Sequence, residues 1–337
     1  MASITQVAKA AGVSISTVSY ALSGKRSIGE QTRARVLEAA DALGYRAHAG
    51  ARMLAGSRTQ LLALTAPLRA DTSTPAHMAF VLAVVSAARH YDYDVVLLTE
   101  DEAMDGLRRV VSSKLVDGVV VLDVGEHDDR LNLLRELDAP SALVGVPADP
   151  KGLMCVDLDF EAAARLAVNR LADAGHRRLV LLGEPRITYE RGANFPTRFR
   201  RAAADAAAVR QVDCRVVESG LTRGDLDALD SALTGPDRAT ALLMQCAEPT
   251  QRAAIDRASD LGLSIPGDLS AIAAAVTFDT ATFTTPIDAI PLLPSAATRR
   301  AVELLMGMLD GEPSPARVEL LTPSWVEHGS VAPLGAI

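Results

Sequence analysis

Hydrophobic residues follow two different patterns along this chain. Near the N-terminus they recur at helical spacing, whereas from residue 61 onward short apolar runs alternate with amphipathic helical stretches. Near-continuous apolar runs separated by helices are typical of parallel sheets covered on both faces. The predicted strands are Leu61–Thr65, Val95–Leu98, Val119–Leu122, Ala142–Val144, Leu179–Leu182, Val212–Val217, Ala241–Met244 and Leu269–Ala274. The clearest predicted helices are Ala76–His90, Phe160–Ala174 and Thr250–Leu261.

This second pattern continues for about 280 residues, which exceeds one sheet unit of ordinary size, so we expect two doubly wound α/β subdomains. Hydrophobic residues make up 49% of the chain, ample for two cores, and no apolar run is long enough to span a membrane. The N-terminus lacks the charged-then-apolar pattern of a signal peptide. We therefore expect a cytoplasmic protein with no membrane contact.

The segment from Ser3 to Leu22 predicts two short helices joined by a tight turn. Ser3 and Gln6 have the spacing of a capping box at the start of the first helix. Gly12 stands where a left-handed residue would end that helix, and Ser14 is placed to cap the second. The residues spaced to share a small core are Ala8, Val13, Val18 and Leu22. This pattern predicts a helix-turn-helix, whose second helix fits the DNA major groove, with an ordinary helical hairpin as the alternative.

A third helical pattern, from about Glu30 to Leu43, completes a small three-helix head. Gly29 is its predicted N-cap, Gly44 its left-handed stop, and Tyr45 is placed to close the core. Its apolar stripe consists of Val36, Ala39, Ala40 and Leu43. Residues 1–60 carry eight Lys/Arg and three Asp/Glu, a balance of +5, while the whole chain carries −8 and the remainder therefore −13. A basic head on an acidic body is typical of a protein that binds nucleic acid, which favours the helix-turn-helix over the hairpin.

The head and the segment after it resemble the LacI/GalR family of bacterial transcriptional regulators. The motifs that carry this resemblance are V-A-K-A-A-G-V-S at Val7–Ser14, T-V-S at Thr17–Ser19, T-R at Thr32–Arg33, L-G-Y at Leu43–Tyr45 and A-R-x-L-A-G at Ala51–Gly56. The resemblance implies a helix-turn-helix domain at 1–46, a hinge helix at 47–59 that folds on the operator, and an effector-binding and dimerisation domain at 60–337. It also implies that Leu54 is an apolar wedge that opens a base step in the minor groove.

By the same resemblance, Ile15, Ser16 and Tyr20 occupy the positions that meet base edges, with Thr17 beside them in the major groove or on a phosphate. The expected phosphate contacts are Ser14, Ser19, Ser23, Lys25 and Thr32. The expected minor-groove contacts of the hinge are Ala51, Arg52, Leu54 and Ala55. We expect a homodimer on a palindromic operator, because one small head buries little DNA surface.

For residues 60–337 the resemblance implies a periplasmic-binding-protein-like body with an effector cleft between its subdomains. We place the first subdomain at 60–157 and 286–313, and the second at 158–285 and 317–330. The chain would cross between them near Asp157, near Thr285 and again within 312–318. The short tail is interrupted by glycine and proline, so we expect no tetramer formed through a C-terminal heptad repeat.

The cleft departs from the sugar-binding pattern of the family. Phe195 stands where relatives commonly carry Arg, Cys246-Ala247 where they carry Asn-Asp, and Ala275 where a further Asp is usual. Sugar hydroxyls need paired polar partners in a dry cleft. We therefore expect either an effector that is not a conventional sugar or a degenerate cleft that binds nothing. The nearby polar residues that could form a different pocket are His77, Tyr189, Arg191, Arg198 and Gln245.

No arrangement of residues in the sequence suggests catalysis, a bound metal or a cofactor. Cys155, Cys214 and Cys246 have no paired spacing, so we expect reduced thiols, and the histidines form no ligand motif. We therefore expect a sequence-specific DNA-binding regulator, a repressor in most of the family, with small-molecule control or, alternatively, a ligand-independent one. A ligand-binding module with a vestigial head and an enzyme on a doubly wound fold are the rival classes.

Overall fold

The computed structural model describes residues 2–23, 28–45, 58–99, 103–220, 223–313 and 317–335. Its first three helices are α1 (Ile4–Ala11), α2 (Ile15–Ser23) and α3 (Glu30–Ala42). They enclose a small core of Val7, Ala8, Ala11, Val18, Ala21, Val36 and Ala40. Val13, Leu22, Ala39 and Tyr45 pack against this core as half-buried residues. Leu43, expected in the apolar stripe, is 40% exposed because α3 ends at Ala42 and Gly44 turns the chain in the left-handed conformation.

The body contains two parallel sheets, which confirms the predicted fold class. The first has the strand order β11-β5-β4-β3-β1-β2, and each of its neighbouring pairs is parallel. Its strands are β1 (Leu61–Thr65), β2 (Asp94–Leu98), β3 (Gly118–Val121), β4 (Ser141–Val144), β5 (Met154–Leu158) and β11 (Val318–Leu321). The helices packed on its two faces are α4 (Thr74–Arg89) and α12 (Pro294–Leu309) on one, and α5 (Ala103–Ser112) and α6 (Asp129–Glu136) on the other.

The second sheet has the order β10-β9-β8-β6-β7, again with every neighbouring pair parallel. Its strands are β6 (Arg178–Gly183), β7 (Asp213–Glu218), β8 (Ala241–Met244), β9 (Ser270–Val276) and β10 (Asp288–Pro291). One face is covered by α7 (Phe160–Asp173) and α9 (Asn194–Val209), and the other by α10 (Arg223–Leu233) and α11 (Glu248–Asp260). The short helix α8 (Arg186–Glu190) follows β6.

Two of the three predicted crossings are displaced. The first agrees, since β5 ends at Leu158 and the next helix opens the second subdomain. However, β10 pairs with β9, so the chain leaves the second sheet after Pro291 and not near Thr285. Likewise β11 lies within 317–330, the range predicted for the second subdomain, but it pairs with β5 in the first sheet.

The buried carboxylate of Asp288, at the start of β10, accounts for the place of β10 in the second sheet. Its Oδ1 accepts backbone N–H groups from His328, Gly329 and Ser330, which ties β10 and the C-terminal segment to the same sheet. These contacts join residues about forty positions apart in sequence, so no local sequence pattern predicts them. The domain division at 1–46, 47–59 and 60–337 stays a prediction. Among the described helices, none has both the length and the hydrophobicity needed to cross a bilayer.

Candidate DNA-binding head and effector cleft

The geometry of the first two helices is set by three local devices. The Ser3 Oγ accepts from the Gln6 N–H at 3.3 Å, and the Gln6 Oε1 accepts from the Ser3 N–H at 2.7 Å, completing the predicted capping box. Gly12 has φ 65° and ψ 36°, the left-handed conformation that ends α1. The Ser14 Oγ then accepts from the Thr17 N–H at 3.1 Å and caps α2. The glycine turn and the Ser14 cap therefore fix the direction in which α2 leaves α1.

The outer face of α2 presents the predicted base-reading residues to solvent. Ile15 is 48% exposed, Tyr20 is 37% exposed, and Ser16 is also exposed. On the opposite face Val18 and Ala21 are buried in the head core. Since residues four apart lie on one side of a helix, Ser16 and Tyr20 share a face that could enter a groove.

The predicted phosphate contacts lie at helix starts or beside that face. Ser14 is exposed, with its Oγ 2.8 Å from both Ser16 Oγ and Thr17 Oγ1. Ser19 and Thr32 are half-buried, Thr32 in the first turn of α3. The side chain of Ser23, and Lys25, Ala51, Arg52, Leu54 and Ala55, lie outside the described residues. Their roles stay predictions.

A cavity of about 470 Å³ lies where the carboxyl ends of the strands of both sheets meet. Asp71 and Asp123 line it from loops that follow β1 and β3, while Glu184 and Gln245 directly follow β6 and β8. Ligands of open parallel sheets bind outside the carboxyl ends of the strands. The position and size of this cavity therefore suit a small molecule.

Arg191, at the end of α8, spans this cavity. Its Nε donates to the Asp71 Oδ2 at 2.7 Å, and its Nη1 lies 3.2 Å from the Asp123 Oδ2. Thr188 Oγ1 also donates to Asp71 at 2.8 Å. Burial alone would raise the pKa of Asp71, but the hydrogen bonds from Arg191 and Thr188 outweigh it and hold that pKa below its ordinary value. Arg191 therefore joins the second subdomain to two loops of the first.

Backbone contacts extend the same junction. The Glu126 N–H donates to the Gly192 carbonyl at 2.8 Å, and Gly125 forms an antiparallel bridge with Ala193. The Asn194 side-chain amide donates to the Val146 carbonyl. We call residues 188–194 the latch segment, because they hold the first subdomain against the second at one side of the cavity.

Comparison with known proteins decides the family. A model for bacterial regulatory proteins of the lacI family matches residues 3–48, and a model for a periplasmic binding protein-like domain matches residues 168–331. The HTH-type transcriptional regulator AglR of Rhizobium meliloti (strain 1021) is 30% identical over 280 residues, which are 80% of this chain and 76% of that protein. The chain belongs to the lacI family. It is a helix-turn-helix, DNA-binding transcriptional regulator, and its family is one of regulators and not of enzymes.

Two further comparisons extend along the chain. Catabolite control protein A of Priestia megaterium is 27% identical over 276 residues, which are 80% of this chain and 81% of that protein. The lac repressor dimer bound to operator and the anti-inducer ONPF matches with a TM-score of 0.80 and 19% identity, covering 98% of this chain and 99% of that one. The second match shows that the whole fold of this lacI-family regulator, head and body, is shared.

The structure brings three of the five predicted effector-binding residues to the cavity of this lacI-family chain, namely His77, Arg191 and Gln245. Tyr189 and Arg198 instead hold residues that line it. The Glu184 N–H donates to the Tyr189 Oη at 3.2 Å, and the Arg200 guanidinium lies 3.9 Å above the ring of that tyrosine.

Arg198 binds the carboxylates of Asp157 and Glu161, each at 2.7 Å. Of these three residues only Asp157 lines the cavity, so Arg198 contacts the lining from behind, and effector contacts by Tyr189 and Arg198 stay predictions. The reason lies in the helix spacing: Asn194 and Phe195 face the cavity from the first turn of α9, and Arg198 lies one turn further along, behind Asp157.

The residues that depart from the sugar-binding pattern, Phe195, Cys246, Ala247 and Ala275, all line the cavity. The cavity is nevertheless not apolar, because five carboxylate residues that we did not predict line it as well: Asp71, Asp123, Asp157, Glu184 and Glu248. A usable signal existed for Glu184, since it follows the predicted apolar strand Leu179–Leu182 by two residues.

The three cysteines form no disulfide with one another. Burial raises the pKa of Cys155 to about 12 and that of Cys214 to about 11, so these thiols stay protonated at neutral pH. Within the described ranges, no group of three or more His, Cys, Asp and Glu side chains could hold a metal ion.

Proposed function

We propose that this regulator is a repressor that binds a palindromic operator as a homodimer, and that a small molecule in the cleft changes its affinity for the operator. The observation that carries the DNA-binding part is the exposed face of α2, held in a fixed direction by the caps at Gly12 and Ser14. Because its target lies on the bacterial chromosome, such a regulator works in the cytoplasm.

In this proposal the side chains of α2 divide into two groups. Ile15 contacts a thymine methyl, and Ser16 and Tyr20 contact base edges, which gives sequence preference. Ser14, Thr17, Ser19 and Thr32, with Ser23 and Lys25, bind phosphates and set the register. Leu54, with Ala51, Arg52 and Ala55, opens the minor groove at the centre of the operator.

The surface proposed for dimerisation is the outer side of the first sheet. On α4, Leu82 is 62% exposed and Val85 is 36% exposed, although Val81 and Val84 of the same helix are buried in the core. Leu97 on the edge strand β2 is 44% exposed. Large apolar side chains grouped on one helix and a neighbouring strand favour a surface that a second copy covers.

Ligand control is proposed because the cavity lies at the junction of the two subdomains. A ligand that contacts both sets of strand ends acts on the angle between the subdomains. It shifts the equilibrium only by the difference between its affinities for the two arrangements. The heads of a dimer are carried by these bodies, so that angle sets the distance between two recognition helices.

A second candidate, a regulator that needs no ligand, is favoured by one observation. The pairs of Arg191 with Asp71 and Asp123 already join the subdomains using groups of the chain itself. If these pairs alone set the subdomain angle, Arg191→Met changes operator affinity and no small molecule does. If a ligand sets it, small molecules shift operator affinity in the unaltered protein.

The proposal is tested with the purified full chain by selecting bound fragments from bacterial genomic DNA and titrating the best fragment at several salt concentrations. We expect an inverted repeat and a steep loss of affinity with salt, because phosphate contacts release counterions. Sedimentation should show a dimer that Leu82→Glu dissociates, whereas the control Val209→Glu, at an 83% exposed position on α9, should not. A monomer with equal affinity for random DNA would refute the proposal.

A further inference from the structure

The cavity described above carries a marked excess of negative charge. Five carboxylate residues line it, and Arg191 is the one guanidinium among the lining residues that the structure describes. Three further arginines, Arg69, Arg198 and Arg252, lie behind the lining and are engaged with it. What this lining can bind depends on which of its charged and polar groups lack a partner within the chain.

Four of the five carboxylates are already paired within the chain. Asp71 is bound by Arg191 and Thr188, and Asp123 by Arg69 and Arg191. Asp157 pairs with Arg198 at 2.7 Å, and Glu248 with Arg252 at 2.8 Å. Each guanidinium group near the cavity is therefore already bound to a carboxylate, and Arg191 is shared between two of them. An anionic ligand would have to displace one of them.

Glu184 is different, because its carboxylate accepts no hydrogen bond from any residue within the described ranges. The charged and titratable groups that act on it are Asp71 and Arg191 across the cavity, Tyr189 on α8 and Cys246 after β8. Burial and the negative charge of Asp71 raise the pKa of Glu184 to about 8, although the positive charge of Arg191 opposes this rise. Glu184 is thus a carboxyl group placed at the cavity without the cation that would stabilise its charged form.

Gln245 supplies a second, independent observation. It is 3% exposed, it lines the cavity, and its side-chain amide has no hydrogen-bond partner in the part of the chain that is described. Its backbone N–H donates to the Leu182 carbonyl at 2.8 Å, so it sits at the end of β8 beside the end of β6, where Glu184 begins the next loop. The buried side-chain atoms that lack a partner do not include this amide, so the amide is accessible from the cavity that Gln245 lines. An accessible amide without a protein partner, close to an unpaired carboxyl group, indicates a ligand with polar hydrogens.

Part of the remaining wall is aromatic. Four phenylalanines line the cavity, and two of them, Phe160 and Phe195, have ring centroids 5.6 Å apart. The faces of aromatic rings attract cations, most strongly where water is excluded. The rings that line the cavity are Phe80, Phe160, Phe195 and Phe278.

We propose that the cleft binds a small organic cation, in which a protonated amine on an apolar or aromatic skeleton pairs with the Glu184 carboxylate and Gln245 binds a polar group beside it. This inference rests on the proposed function only in that the cleft takes a ligand. Of the five carboxylates that line the cavity, only Glu184 is unpaired within the described residues. The phenylalanines in the wall and the single unpaired carboxylate suit one positive charge with an apolar body.

The test uses sets of three probes with one carbon skeleton and different charge. One set is 2-phenylethylamine, 2-phenylethanol and 3-phenylpropanoate, and further sets use larger aromatic and aliphatic primary amines with their own alcohols and carboxylates. Binding to the full chain is measured by calorimetric titration at pH 8, with neutral mono- and disaccharides alongside. We expect the amines to bind at least tenfold more tightly than the matched alcohols, and the carboxylates not to bind.

The variant Glu184→Gln keeps the side-chain shape and removes the charge. It should weaken amine binding by roughly thirtyfold or more, as expected for losing a buried charged partner, and leave the alcohols unchanged. Glu190→Gln is the control, because Glu190 is an exposed glutamate six residues away that pairs with Arg186. Gln245→Leu should also weaken the amines. Thermal unfolding of each variant checks that the fold is retained, and Glu184→Gln should be no less stable than the unaltered protein.

Proton release gives a second readout. Because Glu184 is largely protonated at pH 6.5 and ionised in the complex, amine binding should release close to one proton there and tighten as the pH rises toward 8. Calorimetry in two buffers of different ionisation enthalpy measures this release. Binding without proton release, equal binding of amines and alcohols, tighter binding of a sugar, or no binding by any probe would each overturn the inference.

The outcome is separable from that of the proposed function. Operator binding is measured separately from ligand binding. A sugar that binds the cleft and shifts operator affinity would refute the proposed amine ligand and support the proposed ligand control. An amine that binds through Glu184 and leaves operator affinity unchanged supports the inference and refutes control through this cleft.

Discussion

Removing Arg198 is the most direct test of how the chain stabilises charge beneath the cavity. Its guanidinium lies 2.7 Å from the Asp157 Oδ2 and binds both oxygens of Glu161 at 2.8 and 2.7 Å. The side chains of Arg198 and Asp157 are only 12% and 9% exposed, so this pair is shielded from solvent. Arg198→Met keeps most of the aliphatic stem but leaves Asp157 with one donor, the Leu158 N–H at 2.9 Å.

Breaking a buried pair by removing one partner costs about 3–5 kcal/mol, because the remaining charge is uncompensated. The cost should depend on pH. Burial raises the pKa of Asp157 against the attraction of Arg198, and without Arg198 that pKa rises further. A carboxyl whose pKa is higher in the folded than in the unfolded chain destabilises the fold increasingly as pH rises above about 4. Glu161, whose pKa Arg198 lowers, loses its stabilisation in the same pH direction.

The assay is urea unfolding followed by the fluorescence of Trp325, which packs against the same core cluster as α9. We expect Arg198→Met to lose most at pH 8 and at least about 1 kcal/mol less at pH 5. Arg210→Met is the control, since its pair with Asp173 is more exposed and should contribute about 0–1 kcal/mol. Adding Asp157→Asn should remove the part of the pH dependence that Asp157 contributes and leave the part that Glu161 contributes. If Arg198→Met costs no more than Arg210→Met, or the same at both pH values, the reasoning is wrong.

Three shorter predictions concern the head, the cavity and the C-terminal segment. Ser14→Ala should cost about 1 kcal/mol of head stability and weaken operator binding, whereas Ser14→Asn should retain the cap; hydrogen exchange of α2 measures both. Gly183→Ala should destabilise by about 1–3 kcal/mol, because the new Cβ would lie 2.5 Å from the Tyr189 Oη, and Tyr189→Phe should relieve the clash in urea unfolding. Burial lowers the pKa of His176 in the folded chain, so the unfolded chain takes up this proton at a higher pH. The free energy of unfolding should therefore fall as the pH drops below about 6.5, and it should fall less in His176→Gln.

The head could be predicted from sequence because its determinants are local. Ser3 and Gln6 are three residues apart, and Gly12 and Ser14 follow within the same short segment. The apolar runs of the body likewise indicate parallel strands without further information. The short strands β5, β10 and β11 were not predicted as strands, and the sheet that each one joins depends on partners far along the chain, such as the segment that binds Asp288.

The candidate effector site was predictable only in part for a similar reason. Arg191 and Gln245 could be proposed as polar residues near the positions where the family pattern is lost, but the sequence does not show what Arg191 binds. Its partners, Asp71 and Asp123, lie more than 65 positions away in sequence. The family pattern indicates which polar residues are missing from the cleft. It does not predict the carboxylates that reach the cavity from other loops. Among these, Glu184 lacks a partner, and this favours a cationic ligand.

The carboxylate of Asp71 acts through its charge on both Arg191 and Glu184. Asp71 attracts Arg191 at 2.7 Å and raises the pKa of Glu184 by repulsion. A cation bound by Glu184 would also be attracted by Asp71, and would thereby reduce the hold of Asp71 on Arg191 and on the latch segment. A neutral ligand would leave that balance unchanged. The charge of the ligand, more than its shape, would therefore couple occupancy of the cavity to the contact between the subdomains, and through it to the spacing of the two heads on DNA.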